Sequence, residues 1–241
     1  MGSAPKTMIV IPAFNEENSL PEVLAHLALV VPDHTVVVVD DGSSDRTYHV
    51  ARRSGVNCLR LPFNLGIGGA LRAGFRFAFE QGFDRVVQFD ADGQHDAHQI
   101  IELLDGIDQG ADLVIGSRFA GVGDYNVGRA RYAGMGVLRV LVRALSGQKF
   151  TDTSSGFRAI SRRLLGHFAV DYPLEYMDST EALITACRLG YDVREVPVTM
   201  HERSGGEASN RSFRLVYNYL RLLVVLATSA RRKAPALGEN P

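Results

Sequence analysis

The strongest constraint on this chain is a rhythm. Short runs of β-branched and aliphatic residues at 7–11, 35–39, 57–61, 85–89 and 112–115 alternate with stretches of helical pattern. The first two runs show no polar alternation, as expected of parallel strands covered by helices on both faces. Between them, Ser19 and Glu22 have capping-box spacing, and Leu20, Val23, Leu24 and Leu27 form a helical apolar stripe. Helical signals follow Ser44 as far as Gly55, and run over 70–81 with Gly82 as the stop. The alternation predicts an α/β fold: a Rossmann-like, open, mostly parallel sheet flanked by helices. Beyond Gly116 the rhythm gives way to a Gly-rich loop at 120–128, an amphipathic helix near 130–145, and an edge strand or hairpin at 191–200. We expect one domain over 1–229, with halves 7–116 and 117–229, a C-terminal amphipathic helical segment and a disordered tail at 230–241.

A chain of 241 residues buries roughly 70–75% of its unfolded surface, enough for a core without disulfide or metal support. Cys58 and Cys187 are far apart and make no CxxC pair, so they read as core fillers in a reducing compartment. A formal net charge of -1 lacks the broad basic footprint of a nucleic-acid binder. The first apolar run, at 8–11, is far shorter than a secretory core region. Residues 213–228 form an apolar helical pattern that Asn218 and Arg221 interrupt, short of the about 20 apolar residues of a membrane span. Arg211 and Arg214 precede it, and Arg231, Arg232 and Lys233 follow. That pattern suits a helix lying in a membrane interface, a core helix or a subunit contact, so homo-oligomerisation stays open.

In open α/β sheets ligands bind beyond the carboxyl ends of the strands. Three such ends are polar in a coordinated way: Pro12-Ala13-Phe14-Asn15-Glu16-Glu17, Asp40-Asp41-Gly42-Ser43-Ser44 and Asp90-Ala91-Asp92-Gly93-Gln94-His95. Asp90 and Asp92, two residues apart, repel each other unless a cation or a fixed donor compensates. With Gln94 they offer oxygen ligands suited to Mg²⁺ or Mn²⁺ held together with phosphates. Aspartate pairs also make turns and helix caps, which is the plainer alternative for Asp90–Asp92 and for Asp40–Asp41. A carboxylate at a strand end can also accept hydrogen bonds from a base or a ribose hydroxyl. The run Asn64-Leu65-Gly66-Ile67-Gly68-Gly69 lets backbone approach a ligand, but Leu71 stands where a dinucleotide fingerprint needs glycine. His95 and His98 have HxxH spacing without cysteine or an HExxH helix; they and His201 read as surface or supporting groups rather than zinc ligands.

The segments IPAFNEE, VVVDDGSSDRT, NLGIGGALRAGF, FDADGQH and DLVIGSR, in that order, resemble the family 2 inverting glycosyltransferases of GT-A fold. Within that family the pattern is most similar to the group making polyprenyl-phosphate sugars, the dolichyl-phosphate mannose synthases. The resemblance implies that 7–116 is the nucleotide-sugar half and 117–229 the acceptor side. It further implies that Pro12, Ala13, Asn15, Glu16, Asp40, Asp41 and Asp90 hold the nucleotide of a GDP- or UDP-hexose, and that Asp90, Asp92 and Gln94 hold Mg²⁺ or Mn²⁺. Asp92 and Arg118 would be catalytic, while Arg118, Arg131 and Arg203 would face the acceptor phosphate. The implied reaction moves mannose or glucose to a polyprenyl or dolichyl phosphate, with the enzyme peripheral at the cytoplasmic face of the membrane. A phosphate acceptor is already anionic and needs binding rather than deprotonation, a task suited to arginine's planar fork. A hydroxyl acceptor would instead need a base, for which Asp152, Glu175 and Asp178 are the candidates. Arg158, in Ser154-Ser155-Gly156-Phe157-Arg158, reads equally as structural or acceptor-facing. A family 2 enzyme with a soluble or polysaccharide hydroxyl acceptor and a non-catalytic nucleotide-sugar binder are the alternatives.

Overall fold

The computed structural model describes residues 4–120, 129–174 and 178–201; in the first turns of the helix that starts at Arg129 it describes the backbone alone. The expectations for the 120–128 loop beyond Ala120, for Glu175, Arg203, the helical pattern at 213–228 and the tail at 230–241 lie outside the described residues, as does the domain limit at 229.

The alternating half folds as its pattern predicts, with β1 (Thr7–Ala13), α1 (Leu20–Val30), β2 (Thr35–Asp40), α2 (Thr47–Arg53), β3 (Asn57–Arg60), α3 (Ile67–Glu80) and β4 (Arg85–Gln88) in succession. After β4 come a short 3₁₀ turn (Ala97–Gln99), α4 (Ile100–Asp108) and β5 (Leu113–Ser117). The second half supplies α5 (Arg129–Ser146), β6 (Arg158–Ser161), α6 (Arg162–Val170), α7 (Asp178–Arg188) and β7 (Val193–Pro197). These strands form one sheet in the order β3-β2-β1-β4-β6-β5-β7. The neighbours β3–β2, β2–β1, β1–β4 and β5–β7 are parallel, and only β6 runs against its neighbours β4 and β5. The 191–200 stretch is thus an edge strand alongside β5 rather than a hairpin. β6 was not foreseen, and it changes what stands beside β4.

Two local readings need correction. Ser19 stands at the N-cap of α1 but makes no capping bond; its hydroxyl donates instead to the Glu16 carboxylate at 2.5 Å. A carboxylate is the stronger acceptor, and it draws the serine towards the β1 loop. The two cysteines fill the core only in part: both are partly buried, with Cys58 packed against it, and burial pushes both thiols up to about 11.

One continuous core lies between the sheet and α1 and α4. Ile9, Ile11, Leu20, Leu27, Val38, Val87, Phe89, Ile100, Leu103 and Phe157 meet there with essentially no exposure. On the other face, Phe75 of α3 stacks on Phe168 of α6 and meets Tyr172 edge-on. Both faces of the sheet are covered, which is why β1 and β2 carry no polar alternation. The ends of β1, β2 and β4 therefore emerge together at one edge.

Candidate active site

The loops after β1 and β2 are laced to each other. The Asn15 N–H donates to Ser43 Oγ at 2.9 Å, Glu16 N–H to Thr47 Oγ1 at 2.8 Å and Glu17 N–H to Asp45 Oδ2 at 3.1 Å. In the other direction, the Ser44 N–H donates to Asn15 Oδ1 at 2.9 Å. Asn15 adopts φ 57°, a left-handed conformation that asparagine tolerates better than most residues, and this turns its amide onto the second loop. Asn15 and Glu16 thus build the loop pair at the carboxyl end of the sheet.

The two adjacent aspartates divide the work. Asp40 is fully buried; its Oδ1 accepts from the Ser43 N–H at 3.0 Å, and Arg60 Nε lies 3.4 Å from Oδ2. Asp41 accepts from the Leu65 N–H at 2.7 Å and so fastens the 64–66 loop. Burial pushes the Asp41 carboxyl above its ordinary range, against the pull of the Leu65 and Gly66 amides. Gly42 has φ 70°, and a Cβ there would lie 2.7 Å from the Phe63 carbonyl carbon, so backbone packs directly on backbone. Gly42, Ser43, Arg60, Leu61 and Pro62 line an open cavity of about 350 Å³ at this end of the sheet.

Beyond β4, Asp92 is nearly buried and its Oδ1 accepts from the Gln94 N–H at 3.1 Å, closing a tight turn with Gly93 at φ 78°. His95 is buried beneath this turn, stacked on Phe157 at 4.7 Å and edge-on to Phe89. Its Nδ1 accepts from the Asp90 N–H at 3.1 Å, and its Nε2 lies 3.5 Å from Asp90 Oδ2. Burial lowers the affinity of His95 for a second proton, with Asp90 and Asp92 opposing, so the ring serves as a neutral prop. The Gln94 amide donates to the His201 carbonyl at 3.4 Å, and the His201 N–H donates to the Gln94 carbonyl at 2.9 Å. Asp90, Asp92 and Gln94 therefore share one braced turn, and their donor atoms are hard oxygens. That donor set fits Mg²⁺ or Mn²⁺, and the absence of nitrogen and sulfur from it argues against a softer ion there.

On the second half, Arg118 follows β5 and its guanidinium forks onto Asp152, with Nε at 2.6 Å and Nη2 at 2.8 Å. Nη2 also donates to Ser154 Oγ at 3.0 Å. Asp152 has no exposure; burial alone would raise its carboxyl, but the Arg118 fork outweighs it and holds the group below the ordinary range. Of the three base candidates, Asp152 is thus tied as a carboxylate to an arginine. Asp178 is buried and accepts from the Tyr172 hydroxyl at 2.8 Å; burial pushes it up to about 6. Arg131 belongs to α5, where the structure describes its backbone alone, and Arg203 lies outside the described residues.

Arg158 is the residue whose role the sequence leaves undecided, and the unforeseen strand settles its position. As the first residue of β6 it pairs with Gln88 of β4, two residues before Asp90. Its side chain is 1% exposed, Nε donates to the Ser155 carbonyl at 2.7 Å, and neither Nη makes a hydrogen bond. It acts electrostatically on Asp178, which also feels Asp90. Gly156 completes the floor: a Cβ there would lie 2.8 Å from Asp90 Oδ2 and 3.2 Å from Gln88 Nε2. A buried guanidinium therefore stands on the strand beside β4, in the same neighbourhood as the carboxylate turn. An arginine opening a short hydrophobic strand after a Gly-Phe pair is the only trace of this in the sequence.

Comparison with known proteins gives three findings. Residues 8–168 match the model of the family described as glycosyl transferase family 2. The chain is 36% identical over 214 residues to the undecaprenyl-phosphate mannosyltransferase of Micrococcus luteus, covering 84% of this chain and 86% of the relative. It is 33% identical over 211 residues to the polyprenol monophosphomannose synthase of Mycolicibacterium smegmatis, covering 83% and 79%. Among solved structures, the glucosyl-3-phosphoglycerate synthase of Mycobacterium tuberculosis, in complex with Mn²⁺, uridine diphosphate and phosphoglyceric acid, aligns with a TM-score of 0.70 at 23% identity. That alignment covers 96% of this chain and 80% of the synthase, and it shows a shared GT-A fold.

Proposed function

Because the chain belongs to glycosyl transferase family 2, we propose that it moves a hexose, mannose or glucose, from a GDP- or UDP-sugar to a polyprenyl or dolichyl phosphate. The observation that carries the acceptor class is the likeness, over about four-fifths of both chains, to an undecaprenyl-phosphate mannosyltransferase and a polyprenol monophosphomannose synthase. An enzyme with such an acceptor works at a membrane surface, and we place it peripherally at the cytoplasmic face. Among the described residues no helix is long and apolar enough to cross a membrane.

In this reading the nucleoside occupies the 350 Å³ cavity bounded by Gly42, Ser43 and Arg60–Pro62. Asn15, Glu16, Asp40 and Asp41 hold the loops that frame it, and Pro12 and Ala13, at the end of β1, are further nucleotide contacts in this reading. The diphosphate lies towards the Asp90–Gln94 turn, where Asp90, Asp92 and Gln94 would hold Mg²⁺ or Mn²⁺. Bound there, the ion would offset negative charge on the departing diphosphate without any proton transfer. His95 fixes Asp90 from below through its backbone N–H and carboxylate. Arg158 supplies a buried positive charge near Asp90 and Asp178, which eases the crowding of acids in a space water does not screen.

The acceptor phosphate needs no base, since its oxygens already carry the attacking charge. Arg118 positions it, pre-set by the Asp152 fork, with Arg131 and Arg203 as further acceptor contacts. Attack from the face opposite the leaving diphosphate inverts the anomeric centre.

The reading is tested by incubating the full chain with GDP- and UDP-hexoses, Mg²⁺ or Mn²⁺, and short polyprenyl phosphates, scoring products by mass. We expect a lipid-linked hexose that mild acid releases. An acid-stable glycoside formed on a hydroxyl acceptor alone would overturn the acceptor assignment.

A further inference from the structure

We propose a second cation site, separate from the carboxylate turn, in which His26, Asp96 and His98 bind a zinc-class transition-metal ion. The three residues come from two elements. His26 lies on α1, Asp96 is the cap of the 3₁₀ turn and His98 lies within that turn. One donor atom from each falls within 4.8 Å of the other two.

The ligands are already organised. Asp96 Oδ1 accepts from the His98 N–H at 3.0 Å, which fixes the carboxylate against its own turn. The same oxygen lies 2.9 Å from His98 Nδ1, a hydrogen bond that holds the imidazole and the carboxylate side by side. The imidazoles of His26 and His98 face each other with centroids 5.3 Å apart and a 53° tilt. Zn–N and Zn–O bonds of about 2.0–2.2 Å put tetrahedral donors about 3.3–3.6 Å apart, so the 2.9 Å His98–Asp96 pair must open and the wider spacings, up to 4.8 Å, must close around an ion. His98, whose side chain is 70% exposed, can make that adjustment at little cost. When the cation binds, neutral His98 takes its Nε2–H tautomer: the one ring proton moves through water from Nδ1 to Nε2, which leaves the Nδ1 lone pair for the ion and ends its hydrogen bond to Asp96.

Two imidazoles and one carboxylate form a borderline set that prefers Zn²⁺, and also accepts Co²⁺, Ni²⁺ or Cu²⁺, over Mg²⁺. The oxygen-only turn at Asp90–Gln94 prefers the reverse, so the two sites sort ions by donor type. His26 also lines a cavity of about 560 Å³ with Ser19, Glu22, Phe89, Gly93 and His201, which gives an ion and its water ligand an entry path. An ion held here ties α1 to the segment that follows the carboxylate turn, and stabilises the chain by mass action.

The test uses the full chain and its Asp92→Asn variant, which weakens the carboxylate turn for metal. Titration with Co²⁺ is expected to give visible ligand-field absorption of tetrahedral intensity in both proteins, displaced by Zn²⁺, with Zn²⁺ raising the melting temperature of both. His26→Gln and His98→Gln should each lower Zn²⁺ affinity by about tenfold or more, since each removes one ligand of three. Their far-UV circular dichroism and Mn²⁺ response should match the parent. Unchanged Zn²⁺ affinity in the His26→Gln/His98→Gln double variant would overturn the site. So would a cobalt signal that disappears with Asp92→Asn, because the ion would then be visiting only the carboxylate turn.

Discussion

The loops after β1 and β2 are joined by backbone N–H groups donating to serine, threonine, asparagine and aspartate oxygens. The segment leading into β6, which reaches the same edge of the sheet, is held by arginines and buried carboxylates: Arg118 on Asp152, and Arg158 near Asp178. The first arrangement uses short hydrogen bonds whose geometry the backbone dictates, with carboxylates such as Asp45 among acceptors that several backbone N–H groups share. The second rests on ions removed from water, where losing one partner strands the other at high cost. Substitutions on the nucleotide side should therefore damage chemistry more than stability, whereas those around β6 should damage both.

The largest effect tests the first half of that contrast. Asp92→Ala should cut transfer by about a thousandfold or more and abolish metal-dependent donor binding. Its melting temperature should stay near that of the parent. Unchanged turnover would remove Asp92 from the metal site, and a collapsed fold would erase the distinction between the halves.

Arg118→Ala should lower kcat/KM for the lipid phosphate by about tenfold to a hundredfold while donor affinity changes little. Because Asp152 is left buried without its fork, the same variant should also lose about 3 kcal/mol in urea unfolding. Equal kinetics across acceptor concentrations would count against an acceptor role.

Arg158→Met sharpens the comparison further. It should destabilise the chain by about 3 kcal/mol, and adding Asp178→Asn should recover roughly 1 kcal/mol or more. Additive losses in that cycle would show that the two residues do not interact.

The smallest effect concerns pH. The Asp178 carboxyl titrates near 6 in the folded chain, above its unfolded value of 3.8, so the folded state holds the proton more tightly. The associated stability is full below pH 4 and is lost as pH rises through 6, amounting to at most about 3 kcal/mol. Asp178→Asn should flatten the stability profile between pH 4 and 6, as measured by urea midpoints. An unchanged slope would place the titrating group elsewhere.

The alternating half was legible because parallel strands under helices announce themselves as uninterrupted β-branched runs, and their loops carry the polar residues in sequence. The runs at 7–11 and 35–39 could be read in isolation. β6 could not: its four residues, RAIS, open with an arginine, and only Gln88, Asp90 and Asp178, distant in sequence, explain why that charge is buried. The Arg118–Asp152 fork joins positions 34 residues apart with no local pattern. His26 and His98 illustrate the same limit, since the HxxH spacing of His95 and His98 pairs a buried prop with an exposed ring, while the ring that His98 meets sits on α1.

The reversal of β6 has a topological consequence. In a wholly parallel sheet each strand delivers only the chain that leaves it to the carboxyl edge, and the chain that enters arrives at the far side. An opposed strand inserts an incoming segment into that edge, so residues 152–158 reach it before their strand begins. The approach to β6 therefore carries Asp152 and Ser154 to the same edge as the strand-end loops, and its length can vary while every hydrogen-bonded pair in the sheet keeps its partner.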